Sequence, residues 1–185
     1  MASFCDAVIL AGVEPGFGFK KKYTTKRTMT FFYDILDTPI GSLTIEVDDG
    51  HILKILFDWD KVQVRPNALT EKCKTQLREY FEGRRTEFDL PMKFSGTAFQ
   101  KEVWQALLPV PFGETATYGE QAKKINKAKA VRAVGAANGQ NKHTIIVPCH
   151  RIIGANGSLT GYGGGIDRKR WLLEHEQRVA GKTLF

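Results

Sequence analysis

Cys149 stands in the run Pro148-Cys149-His150-Arg151, directly after the apolar segment Thr144-Ile145-Ile146-Val147. A structural cysteine usually sits among neutral apolar neighbours, whereas this one has an imidazole and a guanidinium beside it. An adjacent imidazole or positive charge favours the thiolate, the form that attacks an electrophile. The same residue types also allow a second reading, a core cysteine at a strand end. Cys5 and Cys73 are weaker nucleophiles, because Cys5 lies in a Gly-rich tail and Cys73 falls on the apolar stripe of a helix. A Cys/His pair needs a third group to orient the imidazole and balance its charge. Glu176, beside His175 on the last helix, is the carboxylate taken for that role, with an ordinary solvated acid as its plainer reading. His143 and His175 read as packing or surface histidines. A cysteine hydrolase would also require an oxyanion hole and an acyl cleft, and nothing in the sequence indicates either.

Positioning these residues requires the elements around them. The stretches FFYDIL, SLTIEV and HILKILF alternate in polarity and are separated by Asp37–Gly41 and Asp49-Gly50, which predicts strands joined by turns. Leu69, Cys73, Leu77, Tyr80 and Phe81 recur at helical spacing, and Gly83 ends that helix. FDL at 88–90 is expected as a short closing strand. Thr97-x-x-Gln100 predicts a capped helix with Phe99, Val103 and Leu107 on its buried stripe, ended by Pro109 and Pro111. Thr117-x-x-Glu120 opens another helix, TYGEQAKKI. A turn at Asn126 leads to the small-residue helix AKAVRAVGAANG, so the two make a helix-turn-helix. This pair carries Lys123, Lys124, Lys127, Lys129 and Arg132, with no acid after Glu120. TIIVPCHRII is expected as a buried strand broken by Pro148, followed by a hairpin turn at Asn156-Gly157 and a GYGGG loop. The final helix, DRKRWLLEHE, turns Trp171, Leu172 and His175 inward.

The chain has 185 residues with a globular balance of 42% hydrophobic and 25% charged side chains, which excludes disordered and collagen-like classes. No apolar run approaches the roughly 20 residues of a membrane span. The N-terminus has no basic residue before its short apolar patch, which predicts no export. Three widely spaced cysteines argue against a disulfide framework, and the absence of any CxxC pair excludes zinc ribbons and fingers. Residues 29–90 carry eight basic and twelve acidic residues, whereas residues 91–185 carry fourteen and six, within a net charge of +7. The basic C-terminal half therefore predicts a polyanionic partner such as DNA. Three units are expected: an extension over 1–28, read as flexible, an N-terminal α/β domain over 29–90, and a C-terminal domain over 95–185.

The runs GTAFQKEVWQALLPVPFGETATYGEQA, VRAVGAANGQN and IIVPCHRIIGANGSLTGYGGGIDRKRWLLEHE resemble the O6-alkylguanine-DNA alkyltransferases, continuously over about residues 95–177. Residues 29–90 resemble more loosely that family's N-terminal domain. The resemblance implies an α/β (α+β) chain: a small ribonuclease-H-like domain, then a mainly helical domain with the helix-turn-helix. It implies a repair protein that flips O6-alkylguanine from double-stranded DNA and moves the alkyl group onto its own cysteine, once and irreversibly. By resemblance Cys149 is the acceptor, His150 the base through a bridging water, Glu176 its polarising partner, and Asn141 the brace of the turn. Tyr118 would donate to N3 of the guanine. Tyr162 and Gly163 would line the base pocket, with Lys169 anchoring that loop. Arg132 would fill the gap left by the base, while Lys129, Ala130 and Gly135 lie on the helix that approaches DNA. Neither cofactor nor metal is implied, since the damaged base is the alkyl donor and Cys5 and His51 lack zinc-binding partners. A monomer is expected, cytoplasmic in a bacterium or nuclear in a eukaryote, with no membrane association.

Two positions depart from the family pattern. Gly163 is often serine, so here only its backbone N–H faces O6, and Thr144 replaces a proline of mammalian relatives. The competing readings are a non-enzymatic sensor of alkyl lesions, a transcriptional regulator on the same domain, the cysteine hydrolase, and an S-adenosylmethionine-dependent methyltransferase. Sensors of that kind lack the cysteine, and the single glycine cluster GYGGG follows no long strand of a βαβ unit.

Overall fold

A computed structural model describes residues 30–59 and 62–182. The N-terminal extension, including Cys5, lies outside the described residues. Three strands, β1 (Phe32–Thr38), β2 (Gly41–Val47) and β3 (Ile52–Phe57), form an antiparallel meander in that order. The alternation of apolar residues sets its register: Ile45 pairs with Asp34 on one side and Ile55 on the other. Leu43, Ile45 and Val47 point into the core, while Thr44 and Glu46 on the opposite face are satisfied by the Trp59 carbonyl and Lys54 Nζ. The helix α1 (Ala68–Phe81) begins at a capping box of Asn67 and Thr70 and lays Cys73, Leu77 and Tyr80 against the sheet. It ends before Gly83, whose φ of +73° suits a residue without a Cβ.

The outer edge of β3 is covered by two segments of chain. Ile52 exchanges backbone bonds with Pro91 and Lys93, and Ile55 with Lys142 and Thr144. Covering satisfies an edge that would otherwise be left unpaired. It also ties the sheet directly to the stretch that leads into Cys149. The apolar core is continuous across the junction, with Ile145, Ile146 and Leu172 packed among the strand residues.

The second half is mainly helical. Helices α2 (Ala98–Gln105) and α3 (Tyr118–Lys124) both start at the expected capping boxes. The turn between α3 and α4 (Val131–Gly139) passes through Asn126 at φ +57°. Helix α4 is fixed from below: Trp104 Nε1 donates to the Ala137 carbonyl at 2.8 Å, and the Gln121 and Asn138 side-chain amides donate to each other. The helix α5 (Ile166–Val179) closes the chain, with Leu172 and His175 buried and Trp171 only half-buried.

Four local expectations are corrected. FDL forms no strand, because the partner that β3 finds there is the backbone of Pro91–Lys93. Thr144–Val147 is a buried turn, not a strand, with Ile145 at φ +73°, and Cys149–Arg151 is one turn of 3-10 helix. A short, wholly apolar run carries no periodicity to separate these conformations. Helix α2 ends at Gln105, so buried Leu107 packs from the turn that follows rather than from the helix. Asn156-Gly157 makes a turn as expected, but Ile152–Ile153 before it (β5) pair in parallel with Ala116–Thr117 (β4) instead of forming a hairpin.

Candidate active site

Cys149 lies at the floor of a pocket of about 180 Å³. Its walls come from the end of α4 (Asn138, Gly139), from Asn141 and Thr144, and from Tyr162, Gly163 and Gly164 of the GYGGG loop. The sheet also contributes, through Leu56, Phe57 and Asp58 at the end of β3. A shallow open groove between Gly135–Gly139 of α4 and residues 161–166 adjoins it.

Asn141 holds the turn in place. Its Nδ2 donates to the Val147 carbonyl at 2.8 Å and to Cys149 Sγ at 3.2 Å, while its Oδ1 accepts from the His143 amide at 2.9 Å. Burial pushes the Cys149 thiol up, partly offset by the Asn141 bond and the nearby Lys169 charge. The resting group is therefore a thiol that needs a base to become a nucleophile.

The candidate base lies behind it. His150 is fully buried, and its Nε2 is 2.8 Å from Glu176 Oε1. Burial lowers its basicity against the pull of Glu176, so the imidazole is neutral near pH 7. Burial also opposes ionisation of Glu176, but the bonds and charges of His150 and Arg151 outweigh it and hold the carboxyl far below its usual range. An ionised carboxylate only accepts, so the proton belongs on Nε2 and the lone pair on Nδ1. Nδ1 is buried and has no protein partner.

Glu176 is bound more heavily than the sequence suggests. Arg151 grips it with Nε on Oε2 (2.8 Å) and Nη2 on Oε1 (3.0 Å), the Gly113 amide donates to Oε2 (3.0 Å), and Tyr80 Oη donates to Oε1 (2.9 Å). Arg151, Gly113 and Tyr80 were not among the expected site residues. Arg151 could have been singled out as the only cation within the box; Tyr80 gave no signal beyond its place on an apolar stripe.

The other expected residues fall into two groups. Lys169 is fully buried beneath the loop, and its Nζ donates to the Ile152 and Thr160 carbonyls. Burial lowers it to about 8. Tyr118 is half-buried beneath α4 and donates its phenol to Thr160 O at 2.7 Å, with Lys169 Nζ 5.6 Å from its ring. Arg132 and Lys129 are exposed at the start of α4, whereas Lys127 is paired with Glu102 of α2. Arg168 was also missed. It binds Asp58 with both Nη atoms, takes the Ile40 and Gly164 carbonyls, and lies 4.5 Å over the Phe57 ring. His143 and His175 are buried against backbone carbonyls, those of Ile52 and Tyr80, as packing groups should be. Among the described residues, no group of three His, Cys, Asp or Glu could hold a metal ion.

Comparison with known proteins agrees with this geometry. Residues 98–178 match the DNA-binding domain of 6-O-methylguanine DNA methyltransferase, and residues 31–94 match its ribonuclease-like domain. The chain is 47% identical over 164 residues to a Mycobacterium bovis methylated-DNA–protein-cysteine methyltransferase, covering 83% of this chain and 98% of the relative. A Methanosarcina mazei protein of the same name is 44% identical over 153 residues, covering 79% and 97%. A crystal structure of the Mycobacterium tuberculosis protein in complex with DNA superposes with a TM-score of 0.75 at 46% identity, covering 80% of this chain and 94% of that one. Both domain models match in order, and the relatives align over almost their full length, so the chain belongs to the 6-O-methylguanine-DNA methyltransferase family.

Proposed function

We infer that Cys149 is the alkyl acceptor in the reaction of this family. The chain is a methylated-DNA–protein-cysteine methyltransferase that repairs O6-methylguanine in DNA. The observation that carries the residue assignment is the buried relay behind the pocket: a thiol, a neutral imidazole with an open Nδ1, and an ionised carboxylate clamped by Arg151. The thiol proton passes through a bridging water to His150 Nδ1, and Glu176 stabilises the imidazolium that forms. The thiolate attacks the O-alkyl carbon. A C–S bond forms and the C–O bond breaks, its electron pair returning to the guanine. Asn141 keeps sulfur pointing into the pocket.

Cys149 is buried in the lining of the pocket, out of reach of a stacked base, so the damaged nucleotide must leave the duplex, at a cost of a few kcal/mol. Arg132 fills the space it vacates. Ala130 provides no side-chain cap, so the first amides of α4 remain available to phosphate, and Gly135 keeps the helix surface low for close approach. Lys129 adds phosphate affinity. Inside the pocket Tyr162 and the Gly163 amide contact the base, and Tyr118 exchanges its bond to Thr160 for one to N3 of the base, to which it passes its proton as the C–O bond breaks, so that the base leaves as a neutral species and the phenolate is reprotonated from solvent. Lys169 holds the loop through Ile152 and Thr160. The thioether is a poor leaving group, and among the described residues no resolving cysteine lies beside it, so each monomer acts once.

The test is incubation with duplex DNA holding one O6-methylguanine, followed by peptide mass mapping. One added methylene on the Cys149 peptide, restored guanine, and no turnover beyond one per protein are expected. A Cys149→Ala variant should bind DNA and transfer nothing. An unmodified Cys149 with tight lesion binding would make the protein a damage sensor instead.

A further inference from the structure

The carboxylate that supports His150 is shared between the two domains. Its Oε1 faces three donors: His150 Nε2 at 2.8 Å, Arg151 Nη2 at 3.0 Å and Tyr80 Oη at 2.9 Å. Oε2 is already satisfied by Arg151 Nε and the Gly113 amide. One carboxylate oxygen has two lone pairs, so three donors on Oε1 must compete. Tyr80 is not needed to satisfy the buried charge, since Arg151 alone supplies a bidentate counter-ion. Its hydroxyl nevertheless points there, from a helix 96 residues away in sequence. The rest of the side chain is packed among rings, with Phe81, Phe88, Phe112 and His175 at centroid distances of 5.2–6.0 Å. A phenylalanine would fill that space equally well, so packing does not explain the hydroxyl.

We propose that Tyr80 of the N-terminal domain is a positioning residue for alkyl transfer, setting through Glu176 how strongly His150 holds a proton. Each bond that Oε1 accepts from Tyr80 draws off negative charge that would otherwise stabilise the His150 imidazolium. Burial and the facing carboxylate keep the phenol protonated, so it only donates. The other groups that face this cluster are Arg151 and Lys169, which oppose a positive His150, and Cys149 and Tyr162, which are neutral at rest. His175 contacts the Tyr80 ring and its carbonyl rather than the carboxylate. The charges of these groups stay the same when the hydroxyl is removed. The inference rests on the proposed role of His150 as base, and the experiment separates the two.

The experiment uses Tyr80→Phe in the full chain. The single-turnover rate on duplex DNA with O6-methylguanine is measured from pH 5 to 9, and the His150 ring is titrated independently by nitrogen NMR. Loss of the hydroxyl should raise the His150 titration by roughly one unit. The acid limb of the rate profile should move up by the same amount, so that transfer on that limb slows about tenfold while DNA affinity is unchanged. Phe88→Leu, which trims the ring cage without touching the hydroxyl, should lower thermal stability and leave both profiles in place. An unmoved His150 titration with only a lower Tm would overturn the proposal and reduce Tyr80 to a structural residue. A moved titration with an unmoved rate profile would retain the Tyr80–His150 coupling, sink its role in transfer, and refute His150 as the base.

Discussion

Gly163 shows how one atom sets the shape of the pocket that Cys149 lines. A Cβ built at this position would lie 2.9 Å from the Gly139 carbonyl oxygen, at the end of α4. That contact is with backbone and cannot be relieved by turning a side chain. A serine here would not simply add a donor for O6; it would push the loop away from α4. Gly163→Ser should therefore slow transfer from duplex DNA several-fold, measured as the single-turnover rate, with little gain in affinity for a free modified base. At the same scale, Cys149 and His150 were legible because three cysteines and four histidines leave few alternatives and these two are adjacent, whereas Glu176 was picked out of twenty acids by its place on the last helix. It could not reveal Tyr80 or Arg168. An aromatic residue on an apolar stripe reads as core, and Tyr80 is core as well as a donor to Glu176. Arg168 follows Asp167 in an ordinary charged run, and its partner Asp58 is 110 residues away.

Among the elements, the 3-10 turn and α4 divide the work. The turn Cys149–Arg151 puts thiol, imidazole and guanidinium on successive residues of one tight coil, so Cys149 reaches the pocket while Arg151 reaches back to Glu176. A strand would have alternated them across two faces. The expected strand failed because the run TIIV is apolar throughout; what makes it a turn is tertiary, the bonds of Thr144 to β3 and of Asn141 to Val147. Helices α2 and α3 were legible because their capping boxes are local signals, and both start where those boxes lie. Arg132 lies on the exposed face of α4, away from the relay. Arg132→Ala should slow repair in duplex DNA at least tenfold more than reaction with a free modified base. Equal loss on both substrates would remove the wedge role, since only the duplex has a gap to fill.

For the whole molecule, the buried relay makes stability depend on pH. Folded His150 resists protonation, so below about 6.5 the unfolded chain takes up a proton that the folded one refuses. Folded Glu176 is likewise held below its ordinary value of 4.5, so its contribution is present above that pH and is lost as pH falls further. Both effects have the same sign. Thermal midpoints should be flat from about pH 7 to 8, decline below 6.5, and fall more steeply below 4.5. In Glu176→Gln the steep lower limb should largely disappear, together with much of the stability at neutral pH. A midpoint that rises on acidification would contradict the charge states assigned here.

The anchoring of α4 has a mechanical consequence for the nucleic acid. Trp104, Gln121 and Asn138 bind the helix to the domain through buried hydrogen bonds, leaving it little freedom to shift when it meets a duplex. The distortion needed to expose a base then falls on the DNA. Pyrimidine–purine steps yield easily, while A-tracts are stiff. With extrusion of the base as proposed, the protein acquires a sequence preference from the elasticity of its substrate, and lesions in compliant steps should be cleared before identical lesions in rigid ones.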